Sequence, residues 1–85
     1  MQELSYTIKD PDGIHARPAG LLVKAMQGFQ SKITIKAGEK QADGKKLFAL
    51  MALGIKQGAA ITLTADGPDE VDALASAQAI LSENL

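Results

Sequence analysis

The chain contains no cysteine, no tryptophan and a single histidine. The lack of cysteine excludes disulfide bonds, thiol nucleophiles and thiolate metal sites together. No apolar run approaches the roughly 20 residues that cross a bilayer, and the N-terminal segment lacks the basic flank and apolar core of a signal peptide. We therefore expect a cytoplasmic protein with no membrane insertion.

Aromatic rings and positive charge are both scarce for a nucleic-acid-binding protein. Tyr6, Phe29 and Phe48 are the only aromatic residues. All nine lysines and arginines lie at or before Lys56, together with five acids, and the residues after it carry five acids and no cation. Nucleic-acid binding by stacking and phosphate contacts needs more rings and a larger positive excess. We therefore expect no nucleic-acid partner.

The pattern of apolar residues predicts the order of the secondary structure. The chain has 85 residues, which suits one domain, residues 1–85. We expect the protein to be monomeric. Alternating segments predict strands, and apolar residues at spacings of three and four predict helices, the first from Ala16 to about Gln27. The resulting order, β-α-β-β-α-β-α, predicts an α+β open-faced sandwich in which three helices cover one side of a four-stranded, mostly antiparallel sheet.

Apolar stripes on the first and last helices predict which side chains are buried. On the first helix, Leu21, Leu22, Ala25 and Met26 recur at helical spacings, and on the last we expect Val71, Leu74, Ala75, Ala77 and Leu81 to be buried. Asp69 precedes the last helix and is a candidate N-cap, whose side chain would accept a hydrogen bond from the first turn.

The only histidine, His15, lies within the segment DPDGIHARPAG, directly before the first predicted helix. The N–H groups of a first turn have no partner inside the helix and favour anions. Pro18 removes one donor, which leaves the N–H groups of Ala16 and Arg17, and the Arg17 guanidinium matches phosphate oxygens. Because neutral imidazole is a nucleophile, these residues together predict an anion site that contains one.

Other interpretations of His15 remain open at this point. A lone histidine is more often a surface or hydrogen-bonded structural residue. The chain has no second histidine, no phosphate-binding glycine-rich loop and no acid spacing typical of a metal site. An enzyme that uses His15 as a general base would therefore lack a recognisable second catalytic group.

Two segments carry a resemblance to a known family. GIHARPAGLLVKA resembles the active-site signature of the HPr family, the histidine-containing phosphocarriers of the bacterial phosphoenolpyruvate-dependent sugar phosphotransferase system. KKLFALMALGIKQGAAITLTADGPDE is similar to the second half of that family, and the length and element order agree. The resemblance covers essentially the whole chain.

The resemblance implies a phosphoryl relay rather than a turnover enzyme. His15 would be phosphorylated on Nδ1 by phospho-enzyme I and would donate to sugar-specific enzyme IIA domains, while Arg17 would stabilise the transferring group. It also implies a partner-docking surface that consists of Gly20, Leu21, Lys24, Leu47, Phe48 and Met51. Core packing is the competing explanation for the last three of these residues. No cofactor and no metal are expected.

Two residues depart from the family pattern. Lys46 occupies the position where many members carry a serine that HPr kinase phosphorylates, so we expect no such phosphorylation here. Asp12 stands where members often have serine or asparagine, which can donate to phosphoryl oxygens. Its carboxylate would instead repel the phosphoryl group and favour a protonated His15, or it merely forms a turn with Gly13. A regulatory module that binds a transcription factor or metabolic enzyme without relaying phosphate is the alternative function.

Overall fold

The computed structural model describes residues 1–85 as four strands and three helices. They are β1 (Gln2–Thr7), α1 (Ala16–Gln27), β2 (Lys32–Ala37), β3 (Lys40–Asp43), α2 (Leu47–Met51), β4 (Ala60–Asp66) and α3 (Glu70–Asn84). The strands form one sheet in the order β1-β4-β2-β3, and every neighbouring pair is antiparallel. The predicted α+β architecture is confirmed. No helix has the length and apolar character that crossing a membrane requires.

The core lies between the sheet and the helices. The central strands β2 and β4 alternate, so that Ile33, Ile35, Ile61 and Leu63 are buried while Lys32 and Lys36 are exposed. Buried side chains from all three helices join the same apolar cluster as these strands. Burial of this apolar face supplies the main stabilisation of a small α+β domain.

Two side chains of α3 that were expected to be buried are exposed. Val71 is 64% exposed, and Ala75 is exposed as well. Apolar residues occupy most of the circumference of α3, so its sequence admits more than one stripe. Ala73, Leu74, Ala77 and Leu81 form the stripe that faces the core.

Asp69 also differs from its predicted role. It stands at the N-cap position of α3, but its side chain makes no capping hydrogen bond. The carboxylate instead accepts hydrogen bonds from the N–H groups of Gln30 and Ser31 and from the Ser31 hydroxyl. Asp69 therefore ties the start of α3 to the chain that enters β2.

Candidate functional site

The loop before α1 is fixed to the body of the protein at both ends. The N–H groups of Lys9 and Asp10 donate to the Leu85 carbonyl, at 2.6 and 3.0 Å, and the Ile14 N–H donates to the Ile55 carbonyl at 3.1 Å. Gly13 has a φ of 66°, and a Cβ there would collide with the backbone of Ile55. This position therefore requires glycine, and the loop delivers His15 to a defined place.

His15 is the N-cap residue of α1, one residue before the predicted helix start. Its backbone is extended, and its carbonyl accepts the first intrahelical hydrogen bond, from the Ala19 N–H at 3.0 Å. Its side chain is 43% exposed, and it makes no capping hydrogen bond. The imidazole is therefore accessible to a reactant and lies beside the positive end of the helix dipole.

The first turn of α1 offers donors and positive charge without an internal acceptor. The N–H groups of Ala16 and Arg17 donate no hydrogen bond within the protein, and Pro18 has no N–H. The first turn contains no acid. The Arg17 side chain is exposed and takes part in no ion pair. These groups have the arrangement that an anion at the helix start would require.

Two carboxylates lie near the imidazole, and only one of them was considered from the sequence. Asp12 is exposed in the turn, and its N–H donates to Oδ1 of Asp10 at 2.8 Å. Oδ2 of Asp10 lies 3.4 Å from Nε2 of His15. Helix and strand periodicities do not describe a contact between side chains five residues apart across a turn. The Asp-Pro-Asp-Gly turn signal was the available clue that Asp10 folds back toward His15.

Asp10, Asp12 and His15 also form the one group of possible metal ligands in the chain. Each offers a donor atom, and these atoms lie within 4.8 Å of one another. Nitrogen and carboxylate donors together suit a divalent cation, so these residues are the ones that could hold a metal. The spacing of the acids did not predict this grouping.

The six residues of the expected docking surface lie on the two adjacent helices α1 and α2. Gly20, Leu21 and Lys24 lie three, four and seven residues after Arg17, so the four residues share one face of α1. On α2, Phe48 is 87% exposed, Met51 is 37% exposed, and Leu47 is half-buried against the core. Core packing therefore accounts for the buried part of the Leu47 side chain, but it does not account for the exposed Phe48 side chain. The exposed apolar residues of α2 thus lie on a helix that packs against α1.

Lys45 and Gln27 connect α2 to the end of α1. The Gln27 side-chain amide donates to the Lys45 carbonyl at 2.9 Å, and the Lys45 ammonium donates to the Phe29 carbonyl at 2.6 Å. Lys46 is the N-cap residue of α2, is exposed, and makes no side-chain capping hydrogen bond. The two neighbouring lysines therefore differ, since one ammonium is bound within the protein and the other faces solvent.

Residues 2–83 match the family model described as "PTS HPr component phosphorylation site". The structure is similar to that of a Mycoplasma histidine-containing phosphocarrier protein, with 40% identity, a TM-score of 0.95, and coverage of 96% of this chain and 93% of that one. HPr of Thermoanaerobacter tengcongensis gives 34% identity, a TM-score of 0.93, and coverage of 98% and 93%.

A third similar structure is Crh of Bacillus subtilis, a protein connected with catabolite repression. It is 30% identical, with a TM-score of 0.77 and coverage of 100% of this chain and 98% of that one, and it was described as a swapped dimer. The similarity to all three proteins therefore extends over the full fold rather than over the histidine segment alone.

Proposed function

Because the chain belongs to the HPr family of the phosphotransferase system, we propose that it accepts a phosphoryl group on His15 from phospho-enzyme I and passes it to sugar-specific enzyme IIA domains. Membership confirms the resemblance noted in the sequence. Proteins of this family are phosphocarriers of that system and not catalytic enzymes. We place the chain in the cytoplasm, as one domain over residues 1–85.

The observation that most supports this proposal is the unoccupied hydrogen-bonding capacity around an accessible imidazole. His15 supplies the nitrogen lone pair that attacks phosphorus. The N–H groups of Ala16 and Arg17 and the Arg17 guanidinium would bind the phosphoryl oxygens, which gain charge during transfer. A phosphoryl oxygen could bind the two N–H groups without displacing a hydrogen bond within the protein. Asp12 is the one phosphate-site residue that would oppose the incoming charge.

The exposed faces of α1 and α2 supply a docking surface next to the imidazole. Gly20, Leu21 and Lys24 on α1 and Leu47, Phe48 and Met51 on α2 would contact enzyme I and enzyme IIA in turn. Phe48 is the natural anchor because an aromatic side chain with this exposure buries a large apolar area on binding.

The direct test incubates the protein with phosphoenolpyruvate and enzyme I and measures acid-labile phosphate. The wild type acquires one phosphate, and His15→Ala acquires none. Gln78→Ala, which changes an exposed position on α3, serves as the folded control and is labelled like the wild type. Label that persists in His15→Ala would refute His15 as the acceptor.

Docking is tested separately with two exposed apolar residues. Phe48→Ala raises the KM of enzyme I for the carrier about thirtyfold, because hot-spot truncations cost on the order of 2 kcal/mol. Val71→Ala, an exposed apolar residue on α3, leaves this KM unchanged. Equal effects of both substitutions would refute the proposed surface.

The carrier is proposed to work as a monomer. Dimers are described for Crh of Bacillus subtilis and for an HPr of Thermoanaerobacter tengcongensis. Sedimentation at increasing concentration tests this for the present chain, and a dimer at micromolar concentration would contradict it.

A further inference from the structure

Asp10 places a carboxylate against one particular nitrogen of the His15 ring. Its Oδ2 lies 3.4 Å from Nε2, and no protein group forms a hydrogen bond with Nδ1. Oδ1 of the same carboxylate accepts the Asp12 N–H at 2.8 Å. The two oxygens therefore have different partners: Oδ1 binds the Asp12 N–H, and Oδ2 contacts Nε2 of the ring.

Two backbone hydrogen bonds, in addition to the one from the Asp12 N–H, hold this carboxylate in position. The Asp10 N–H donates to the Leu85 carbonyl at 3.0 Å, and its carbonyl accepts the Gly13 N–H at 2.9 Å. The side chain is only 24% exposed, whereas that of His15 is 43% exposed. Asp10 is thus the more constrained partner of the pair, and the ring orients to it rather than the reverse.

A neutral imidazole carries one proton, on either Nδ1 or Nε2, and the other nitrogen holds a lone pair. An ionised carboxylate only accepts hydrogen bonds, so a carboxylate beside Nε2 stabilises the tautomer that has its proton there. We propose that Asp10 is a positioning residue that holds His15 in the Nε2–H tautomer and thereby makes Nδ1 the nucleophile. This proposal rests on the proposed role of His15 as the phosphoryl acceptor.

The transfer step balances with this tautomer. The lone pair of Nδ1 forms a bond to phosphorus, and the bond between phosphorus and the donor breaks with its electron pair leaving on the donor. The proton on Nε2 stays in place, so the ring becomes a phosphorylated cation. The Asp10 carboxylate stabilises this cation by charge and by the same hydrogen bond. The roles of Asp10 and Arg17 are therefore separate, one on the ring and one on the phosphoryl oxygens.

The tautomer is measured directly by ¹⁵N NMR of the unphosphorylated protein, at a pH where the ring is neutral. The wild type gives the chemical shifts of a protonated Nε2 and an unprotonated Nδ1. In Asp10→Asn, the amide oxygen still accepts the Asp12 N–H, while the amide NH₂ lies next to Nε2 and donates to it. We expect the ring to shift toward the Nδ1–H tautomer.

Asp12→Asn is the matched control for charge. The Asp12 carboxylate has an oxygen within 4.8 Å of a ring nitrogen of His15 but forms no hydrogen bond with the ring. This substitution removes the same charge and should leave the Nε2–H tautomer in place. A wild-type ring in the Nδ1–H form, or an identical tautomer ratio in Asp10→Asn, would overturn the proposal. If Asp10→Asn does not fold, the wild-type spectrum still tests the proposal, because an Nδ1–H ring there contradicts it.

Kinetics provide the second readout. Because a hydrogen bond of ordinary net strength controls about a fivefold to tenfold change in a population, phosphorylation of Asp10→Asn at saturating carrier slows by about that factor. Its KM for enzyme I stays unchanged because Asp10 lies outside the docking surface. A raised KM with an unchanged saturating rate would contradict the tautomer role. If the wild type accepted no phosphate at all, the proposed function would fail while the NMR result would still stand.

Discussion

The N-termini of α1 and α3 differ in whether side-chain carboxylates lie at them. At α3, the Asp69 carboxylate accepts hydrogen bonds from Gln30 and Ser31, and Glu70 accepts the Gly67 N–H at 3.2 Å and lies 3.1 Å from the α-amino group of Met1. At α1, the first turn has no acid and no side-chain cap. We call the start of α3 closed because these two carboxylates lie there, and the start of α1 open because its first turn has none.

At the closed start of α3, both carboxylates form structural hydrogen bonds that lower their pKa values. The Ser31 hydroxyl, followed by the Gln30 N–H, holds the pKa of Asp69 below its ordinary value of 3.8. The α-amino group of Met1, followed by the Gly67 N–H, lowers the pKa of Glu70. The two carboxylates at the start of α3 repel an external anion, although its Val71 and Asp72 N–H groups donate no hydrogen bond. The first turn of α1 carries no acid, so we propose that an exchangeable anion binds there.

The strongest test of the open start removes its permanent cation. Arg17→Ala slows phosphoryl transfer by about tenfold to a hundredfold, at or below the usual effect of losing one charge-stabilising donor because this site is exposed. Its unfolding free energy changes by less than about 0.5 kcal/mol because the side chain takes part in no ion pair. Rapid-quench kinetics and urea unfolding measure the two effects. Lys36→Ala, which removes an exposed cation on β2, controls for net charge; an equal loss of rate there would contradict a local role.

The corresponding substitution at the closed start should have the opposite profile. Asp69→Ala leaves the N–H groups of Gln30 and Ser31 and the buried Ser31 hydroxyl without their acceptor, so the midpoint of urea unfolding falls. The rate of phosphoryl transfer stays that of the wild type once the protein is folded. Asp72→Ala, an acid in the same first turn without these partners, shifts the midpoint much less. A clear loss of transfer rate in Asp69→Ala would undo the contrast between the helices.

Lowering the pH should remove the stabilising contribution of Asp69 without a mutation. The pKa of Asp69 is lowered in the folded protein, so its contribution to stability is fully present above the ordinary value of 3.8 and is lost as pH falls through the lower folded value. Stability of the wild type therefore decreases below about pH 4, with Glu70 contributing in the same direction. Urea unfolding between pH 6 and pH 2.5 measures this, and Asp69→Asn flattens the curve. An unchanged slope in that variant would show that other carboxylates dominate.

The start of α2 gives the smallest expected effect. Lys46 puts a cation at an N-cap that has no side-chain hydrogen bond. Lys46→Ser supplies a capping oxygen and removes the unfavourable charge, which stabilises the protein by about 0.5–1 kcal/mol. Lys46→Ala removes the charge without adding a cap and should recover less. Thermal unfolding distinguishes them; equal stability of the two variants would show that the hydroxyl makes no cap here.

The open start was predictable from the sequence because its features are local. A histidine before a helix, an arginine two residues later and a proline in the first turn are read directly from the order of the chain. The bounds of α1 were predicted closely for the same reason, since Gly28 interrupts a clear periodic pattern. Gly28 ends α1 with a φ of −77° rather than in the left-handed conformation that usually favours glycine there.

The closed start was not predictable because its partners are distant in sequence. Asp69 binds Ser31, 38 residues away, and only the tertiary fold brings the start of α3 next to the segment that enters β2. Periodicity could not decide between the possible apolar stripes of α3, which is why Val71 and Ala75 were misplaced. The contact of Asp10 with His15 is short in sequence but depends on the loop anchors at Leu85 and Ile55, which the order of residues does not reveal.

The backbone amides of the two helix starts, followed by ¹H–¹⁵N NMR before and after phosphorylation, test the contrast most directly. Phosphorylated protein should show its largest amide shifts at Ala16 and Arg17, because these N–H groups then donate to phosphoryl oxygens. The amides of Glu70 and Val71 at the start of α3 should stay unchanged. Unshifted amides at Ala16 and Arg17 in protein that carries the phosphate would contradict the open helix start as the phosphoryl site.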